Sequence, residues 1–226
     1  MFIIGLALLL SGCPRQRNTD ATDNAAPPAN ADNEPPDAPT SEPPPEPPPM
    51  DEATREKFIA DMRELGVSVE LDDEKYVKSL VMGFTKIDDA GLAKLPDLPR
   101  LEFIGLDHTN ITDDGVAEIA KRTSLRAIYL GGNEITSVGT KHLSSLKKLE
   151  YLDLSDLPIG DEALAPLAEL ESLTKLNLTS TKVTLEGTIE FAKALPELEV
   201  SAPFGNLIGG RRLTMDPGVK DGELAK

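Results

Sequence analysis

Histidine and cysteine, the side chains best suited to acid–base and nucleophilic chemistry near neutral pH, are scarce in this chain, and they form no recognisable catalytic set. The sequence holds two histidines and one cysteine. His108 follows Asp107 at the end of a predicted strand, and Asp153 lies near a corresponding strand end, so an acid–base site there is one interpretation. His142 falls on the opposite predicted face. No nucleophile elbow, phosphate-binding glycine loop or HExxH motif occurs, and we expect neither a cofactor nor a metal.

Cys13 is the residue with the clearest chemical role. Residues 2–10 are apolar, too short a run to cross a bilayer, which needs about 20 residues, but suited to the core of a secretory signal. LSGC at positions 10–13 resembles the lipobox of bacterial lipoproteins. The resemblance implies a signal peptide over 1–12, a diacylglycerol thioether on Cys13 and an acylated new amine, with palmitate an expected chain. The alternative is a short apolar N-terminus with a chance cysteine.

Residues 13–50 have the composition of a spacer. Twelve of the chain's 19 prolines lie between positions 14 and 50. Such a segment buries too little surface to offset its ordering entropy, and PPPEPPP at 43–49 favours extended backbone of roughly 3.1 Å per residue. We therefore expect a disordered tether. A PxxP ligand for an SH3-like domain is the alternative.

The elements that must position any site follow a 24-residue repeat. Apolar residues recur at +3, +5 and +10 from the start of each unit. The units start at Val77, Leu101, Leu125, Leu149 and Leu173, and Leu198 closes the series one residue late. Self-similarity at this period is typical of a solenoid, in which each unit buries its apolar face against the next.

Each unit reads LxxLxLxxTxI, then a loop and a helix, which resembles the leucine-rich repeat consensus LxxLxLxxN over about residues 67–202. The helical half resembles the ribonuclease-inhibitor-like class, with the TDxGL-type turns common in bacterial members. The resemblance implies an α/β solenoid with a parallel sheet on its concave side and helices on its convex side. The consensus Asn position holds Thr85, Thr109, Asn133, Leu157 and Thr181. Because a leucine cannot bond to turn backbone, we expect the fourth turn to differ.

The ends of the stack need covers, because terminal units would otherwise expose apolar surface. The pattern predicts an N-terminal cap of one helix and a hairpin over 51–76. The repeats follow over 77–202, as about five full units and a partial one. Residues 203–226 are expected to form a C-terminal tail, part of which could fold back over the last unit.

A second column of polar residues precedes a glycine-rich column by two positions. It holds Asp89, Asp113, Ser137 and Asp161. Asp and Ser oxygens accept hydrogen bonds from the free N–H groups at helix starts, so we expect these residues to be helix N-caps. A ladder of calcium ligands is the alternative, although Ser137 would interrupt it.

The outward positions of the sheet are the best candidates for a binding site. Because side chains alternate along a strand, positions +2, +4 and +6 should face out of the concave side. Phe103, Tyr129 and Tyr151 should therefore cluster in the middle units. We expect a partner-binding surface of Phe103, Asp107, His108, Tyr129, Tyr151, Asp153, Lys175 and Asn177. The alternative is that the aromatic rings merely cover a sheet, where such residues are favoured anyway.

Charge and motifs together favour an interaction protein. A net charge of −16, without a basic stripe, argues against nucleic acid as a partner. The sequence predicts a non-enzymatic, monomeric module, held to a membrane of the bacterial cell envelope through lipid on Cys13, that binds a protein or an extended polymer on its concave sheet. Two alternatives remain: a structural or assembly module that uses its convex face or its ends, and an enzyme with an unrecognised site.

Overall fold

The computed structural model of the chain describes Pro48 and residues 50–212. The predicted signal peptide over 1–12, the lipidation site Cys13 and most of the tether lie outside the described residues, as do residues 213–226. The boundaries proposed for those segments stay predictions.

Strands and short helices alternate along the described chain. The strands are β1 (Ser68–Leu71), β2 (Val77–Val81), β3 (Phe103–Gly105), β4 (Ala127–Tyr129), β5 (Tyr151–Asp153), β6 (Lys175–Asn177), β7 (Glu199–Ala202), β8 (Gly205–Ile208) and β9 (Arg211–Arg212). The α-helices are α1 (Glu52–Glu64), α2 (Asp89–Ala93), α3 (Asp113–Ile119), α4 (Ser137–Thr140), α5 (Leu164–Leu167) and α6 (Leu185–Ala192). Short 3₁₀ helices cover Lys141–Ser145 and Asp161–Ala163.

The strands form one nine-stranded sheet in chain order. Strands β2 to β7 are parallel, and each pairs with the next at a constant offset of 24 residues, from Leu80 opposite Ile104 to Leu176 opposite Val200. The predicted leucine-rich repeat architecture of a parallel sheet with helices behind it is therefore confirmed. The sheet is antiparallel only at its ends, where β1 pairs with β2 and the chain turns back through β8 and β9.

The hydrophobic core lies between the sheet and the helices. The +3 and +5 side chains of the middle units, such as Ile128 and Leu130, have no exposed surface, and they pack with helix residues such as Val116 and Ile119. At the N-terminal end α1 contributes Phe58 to this core, and at the C-terminal end β8 contributes Leu207. Both ends of the stack are thus covered, the C-terminal one by residues that the sequence placed at the start of a tail.

The turn that follows each of the strands β2 to β6 repeats with the same 24-residue period. Phe84, His108, Gly132, Asp156 and Ser180 share one column, and each has a left-handed backbone with φ between 51° and 67°. At the next position, Thr85, Thr109 and Thr181 donate hydroxyl hydrogen bonds to the carbonyl three residues earlier, at 2.6 to 2.8 Å. The threonines therefore replace the consensus asparagine in closing the turn.

The fourth turn differs less than the sequence predicted. Leu157 is buried and makes no hydrogen bond to the turn through its side chain. Its neighbour Asp156 nevertheless keeps the left-handed backbone and donates its N–H to the carbonyl of Thr179, as the equivalent residues of other units do to theirs. Pairing with the next strand thus maintains this turn, and apolar burial takes the place of the side-chain bond.

The expected N-caps are wrong by one residue. The N-cap residues of α2, α3, α4 and α6 are Asp88, Thr112, Thr136 and Thr184. The aspartates one position later bond instead to the threonine N-cap of the following unit. Asp113, for example, accepts from Thr136 N–H at 2.8 Å and from Thr136 Oγ1 at 2.6 Å. Asp89 and Asp161 make the same pair of bonds. The column therefore ties neighbouring units together rather than capping its own helices.

The glycine column leaves room for these carboxylates. A Cβ atom on Gly187 would overlap the carboxyl group of Asp161 from the preceding unit. The break in one column coincides with breaks in the others: where Ser137 replaces the aspartate, the next unit has Gly160 in place of the threonine and Ala163 in place of the glycine. Three sequence columns thus describe one contact between units.

We predict that Gly187→Ala destabilises the protein only while Asp161 is present. The added methyl group must displace the carboxylate, and overpacking of this kind costs roughly 1–3 kcal/mol. In an Asp161→Ser background, which copies the natural Ser137 and Ala163 pair, the same change should be neutral or stabilising, because alanine is the better helix former by about 1 kcal/mol. Urea unfolding of the two single variants and the double variant measures this coupling. Strictly additive effects would contradict the proposed contact.

Candidate functional site on the exposed face of the sheet

The outward side chains of β2 to β7 form a grid whose register is set by strand pairing. Phe103 lies opposite Ala127, which lies opposite Tyr151 and then Lys175. Two residues along, Gly105, Tyr129, Asp153 and Asn177 form the adjacent row. With neighbouring strands about 4.8 Å apart, residues from successive units come into contact across this face.

Three aromatic rings form a continuous stack on this grid. The ring centroids of Phe103 and Tyr129 are 5.3 Å apart, and those of Tyr129 and Tyr151 are 4.7 Å apart with planes inclined by 25°. All three side chains are half-buried. The predicted cluster therefore exists: the Tyr129 ring stacks on that of Tyr151, and the Phe103 ring adjoins it at an interplanar angle of 41°.

A polar network borders the stack on the C-terminal side. Asp153 is only 8% exposed. One carboxylate oxygen accepts from Ser155 N–H and Oγ, at 2.8 and 2.6 Å, and the other accepts from Asn177 Nδ2 at 2.8 Å. Asn177 Oδ1 in turn accepts from Thr179. These hydrogen bonds link the side chains of the network to one another, so the network fixes the Asp153 carboxylate beside the rings.

Asp107 lies across the face from this network. Its Oδ1 accepts from the N–H of Gly131 at 3.2 Å. Burial raises the pKa of the Asp107 carboxyl above its ordinary value, and the negative charge of Asp153 raises it further. Burial, together with the neighbouring Asp153 and Tyr129, likewise raises the pKa of the Tyr151 hydroxyl above its ordinary value. We define the sheet-face site as Phe103, Tyr129, Tyr151, Asp107 and Asp153.

His108 and Lys175 lie at the margins of this site. The exposed His108 ring stacks on Phe84 with centroids 4.9 Å apart, and within the described residues no hydrogen bond joins it to either carboxylate. The Lys175 ammonium lies 3.8 Å from Glu199 Oε2. The residues predicted from the sequence thus share one face, but His108 and the two aspartates do not form a linked acid–base set.

Phe84 and Val81 belong to the same face and were missed as site residues. Phe84 is 80% exposed and Val81 is 45% exposed. Phe84 occupies the left-handed turn column, where a bulky residue is unusual. Its position in that column was readable from the repeat, whereas its backbone conformation and exposure were not. Together they extend the apolar part of the face toward the N-terminal units.

Among the described residues, no group of three or more His, Cys, Asp or Glu side chains is placed to hold a metal ion. Asp89, Asp113 and Asp161 bond to threonines, as described above. No helix in the same residues has the length and apolar character that a bilayer crossing requires.

Comparisons with known proteins agree with this architecture. Two family models, both described as leucine-rich repeats, match residues 99–159 and 169–192. No curated protein matches this sequence. The matched segments are thus leucine-rich repeats, and proteins with such repeats are generally protein-interaction modules.

The solved structures that this chain is similar to share little sequence with it. An internalin from Listeria monocytogenes is 22% identical, with a TM-score of 0.41, over 54% of this chain and 40% of that one. The PEPR1-AtPEP1 structure is 19% identical, with a TM-score of 0.40, over 59% of this chain and 19% of that one. The chain therefore spans less than half the length of either.

We predict that Asp107→Asn stabilises the protein at pH 7 and that this gain disappears in acid. With its pKa raised in the folded state, the wild-type carboxyl binds its proton more tightly when folded, so stability is lost as pH rises from the ordinary value of 3.8 through the raised one. Asparagine keeps an acceptor for Gly131 and carries no charge. Urea unfolding at pH 7 and pH 3 measures the difference. An equal effect of the substitution at both pH values would exclude this electrostatic origin.

Proposed function

We propose that this protein is a non-enzymatic, monomeric interaction module that binds a protein or an extended polymer across the exposed face of its sheet. The observation that carries the proposal is the aromatic stack of Phe103, Tyr129 and Tyr151, flanked by fixed carboxylates. Aromatic rings with adaptable polar neighbours are typical of binding surfaces. The general role of leucine-rich repeats in protein interaction supports it.

The core does not require these three rings. This favours a binding role over the alternative that the rings merely cover the sheet. The inward positions of the same strands, such as Ile104, Ile128 and Leu152, are completely buried in the core, and alternation along the strand places them on the opposite side of the sheet from the rings. The stack does contribute some stability, since each aromatic pair is worth about 0.5–1.5 kcal/mol. That contribution can be measured separately from binding.

We further propose that the module is held at a membrane of a bacterial cell envelope through lipid on Cys13, with residues 14–50 as spacer. The lipobox-like sequence at 10–13 and the proline-rich composition support this arrangement. Several acyl chains would make the anchor stable, whereas one alone would be reversible. A spacer of this length would hold the sheet face away from the membrane surface.

An assembly role through one end of the stack is the second candidate. An open groove of about 600 Å³ lies between α1 and the first unit. Its lining combines apolar residues, such as Phe58, Ile87 and Leu95, with charged residues, such as Asp61 and Lys94. Leu65 at its rim is 55% exposed. A partner docking here would use the cap rather than the sheet, which makes the two candidates separable by substitution.

We predict that replacing Phe103, Tyr129 and Tyr151 together by alanine abolishes capture of envelope partners by the purified protein. Leu65→Ala is the matched control, because it removes an exposed apolar side chain at the groove beside α1. Pull-down from envelope extract measures capture, and thermal unfolding measures the fold. Loss of capture by Leu65→Ala, with the triple variant still active, would favour the assembly role instead.

We predict that mass spectrometry of the mature protein, expressed with its N-terminus in a bacterial host, finds a peptide that begins at Cys13 and carries diacylglycerol. The Cys13→Ser variant should be neither lipidated nor retained in the membrane fraction. An intact, unmodified N-terminus in the wild-type protein would remove the lipid anchor from the proposal, with the sheet-face binding site unaffected.

A further inference from the structure

The half of the sheet face beyond the aromatic rings differs chemically from the half before them. Val81 and Phe84, which lie before the rings, are exposed apolar side chains. Beyond the rings, strand pairing places Asn177 opposite Ser201, and Ser201 opposite Asn206. These three uncharged polar residues form one row across β6, β7 and β8. The face is therefore apolar at one end and neutral and polar at the other.

A groove of about 290 Å³ lies over the neutral half of the face, and we call it the polar groove. Tyr151 of β5 lines it at one end of this series of strands, and Asn206 of β8 lines it at the other. Sites for small molecules usually measure about 300–1,000 Å³. The polar groove therefore has room for one small unit of a longer ligand.

Two polar groups in the groove are available to a ligand. Within the described residues, neither the Ser201 hydroxyl nor the Asn206 side-chain amide makes a hydrogen bond. Asn177, by contrast, already bonds to Asp153 and Thr179. A hydroxyl and an amide can each both donate and accept. Ser201 and Asn206 are thus suited to ligand hydroxyl groups, which also do both.

The charged side chains of the groove balance one another. Lys175 and Glu199 are paired in register on β6 and β7, with the ammonium 3.8 Å from Glu199 Oε2. An anionic ligand would meet the carboxylate as well as the ammonium, and a cationic ligand would meet the ammonium as well as the carboxylate. This arrangement favours an uncharged ligand.

Tyr151 gives the polar groove an aromatic wall. Tyr129 stacks on Tyr151 from the side of β4. The groove, which is lined by Tyr151 and by residues of β6 to β8, lies on the side away from β4. An aromatic ring provides a large apolar surface for packing. A ligand unit that fits here therefore has an apolar face for the ring and polar groups around its rim.

A sugar ring has this combination, because its C–H groups share one face while its hydroxyl groups project from the rim. A peptide backbone is neutral too, but an extended peptide that adds to a sheet needs an open strand edge. Strands β6 and β7 each pair with a strand on both sides. The groove thus offers a peptide backbone no row of free N–H and C=O groups.

We propose that the polar groove binds one unit of a neutral polysaccharide, with a pyranose ring packed against Tyr151 and its hydroxyl groups bonded to Ser201 and Asn206. The inference rests on the proposed binding role of this face, and it identifies the extended polymer as a glycan. Since no charge is exchanged between partners, the association is insensitive to salt.

The first test applies the fluorescently labelled protein to an array of neutral hexasaccharides: cellohexaose, maltohexaose, mannohexaose, xylohexaose and chitohexaose. The expected result is binding to at least one of them, with the same affinity at low and high salt. Binding to none of them, or binding that salt abolishes, would overturn this inference. The proposed function would stand in either case if envelope partners were still captured, and capture of proteins alone would identify the polymer as a polypeptide.

The second test measures the affinity of the bound hexasaccharide by isothermal titration calorimetry. Asn206→Ala and Ser201→Ala should each weaken binding about three- to tenfold, the loss expected for one neutral hydrogen bond. The matched control is Asn110→Ala, which removes an exposed amide outside the groove and should have no effect. Thermal unfolding of each variant checks the fold.

Tyr151→Ala removes the aromatic wall and should weaken hexasaccharide binding more than either polar substitution. Equal affinity of the Asn206 variant and the Asn110 control would place the sugar elsewhere and overturn the inference, as would undiminished binding by Tyr151→Ala. Undiminished capture of envelope partners by the triple-alanine variant of Phe103, Tyr129 and Tyr151 would instead contradict the proposed function itself.

Discussion

The constant offset of 24 residues between paired parallel strands is the constraint on which the rest of this structure depends. Backbone hydrogen bonds between each pair of neighbouring strands, from β2 to β7, maintain that offset. It is kept even in the last unit, in which Leu198 falls one position late. Because the offset is fixed, equivalent residues of all units form straight rows. Inward rows make a continuous apolar core, and no unit could bury its own leucines without its neighbours.

On the helical side, the same offset turns a short-range motif into a contact between units. An aspartate at a helix start would ordinarily cap its own helix. Here the carboxylates of Asp89, Asp113 and Asp161 bond to the threonine N-caps of the following units. The aspartate, the threonine and the glycine therefore form one structural device, and all three are replaced together around Ser137. This coordinated replacement explains why an irregular unit is tolerated in the middle of the stack.

On the sheet side, the fixed rows allow a surface to be built from one or two residues per unit. The aromatic stack takes one ring from each of three successive units, and the Asp153 network continues into the next. The surface is thus as rigid as the pairing beneath it. A preformed surface loses little conformational freedom on binding, although the strands β3 to β6 that carry it are only three residues long.

Much of this arrangement was determined by the sequence alone. Periodicity identified the strands, the buried columns, the outward columns and the clustering of Phe103, Tyr129 and Tyr151, because alternation along a strand and stacking between units are set by local geometry. The lipobox-like segment at 10–13 is a property of sequence as well, and its lipid stays a prediction.

Only the tertiary structure decided which partners the polar residues take. The aspartate column was assigned to its own helices, since the competing threonine lies 23 residues away and its distance depends on how adjacent units pack. The exposure of Phe84, the separation of His108 from the aspartates and the mutual repulsion of Asp107 and Asp153 depend on backbone conformation and on neighbours from other units. The sequence therefore determined which face each side chain occupies, whereas contacts between units determined what each side chain can do there.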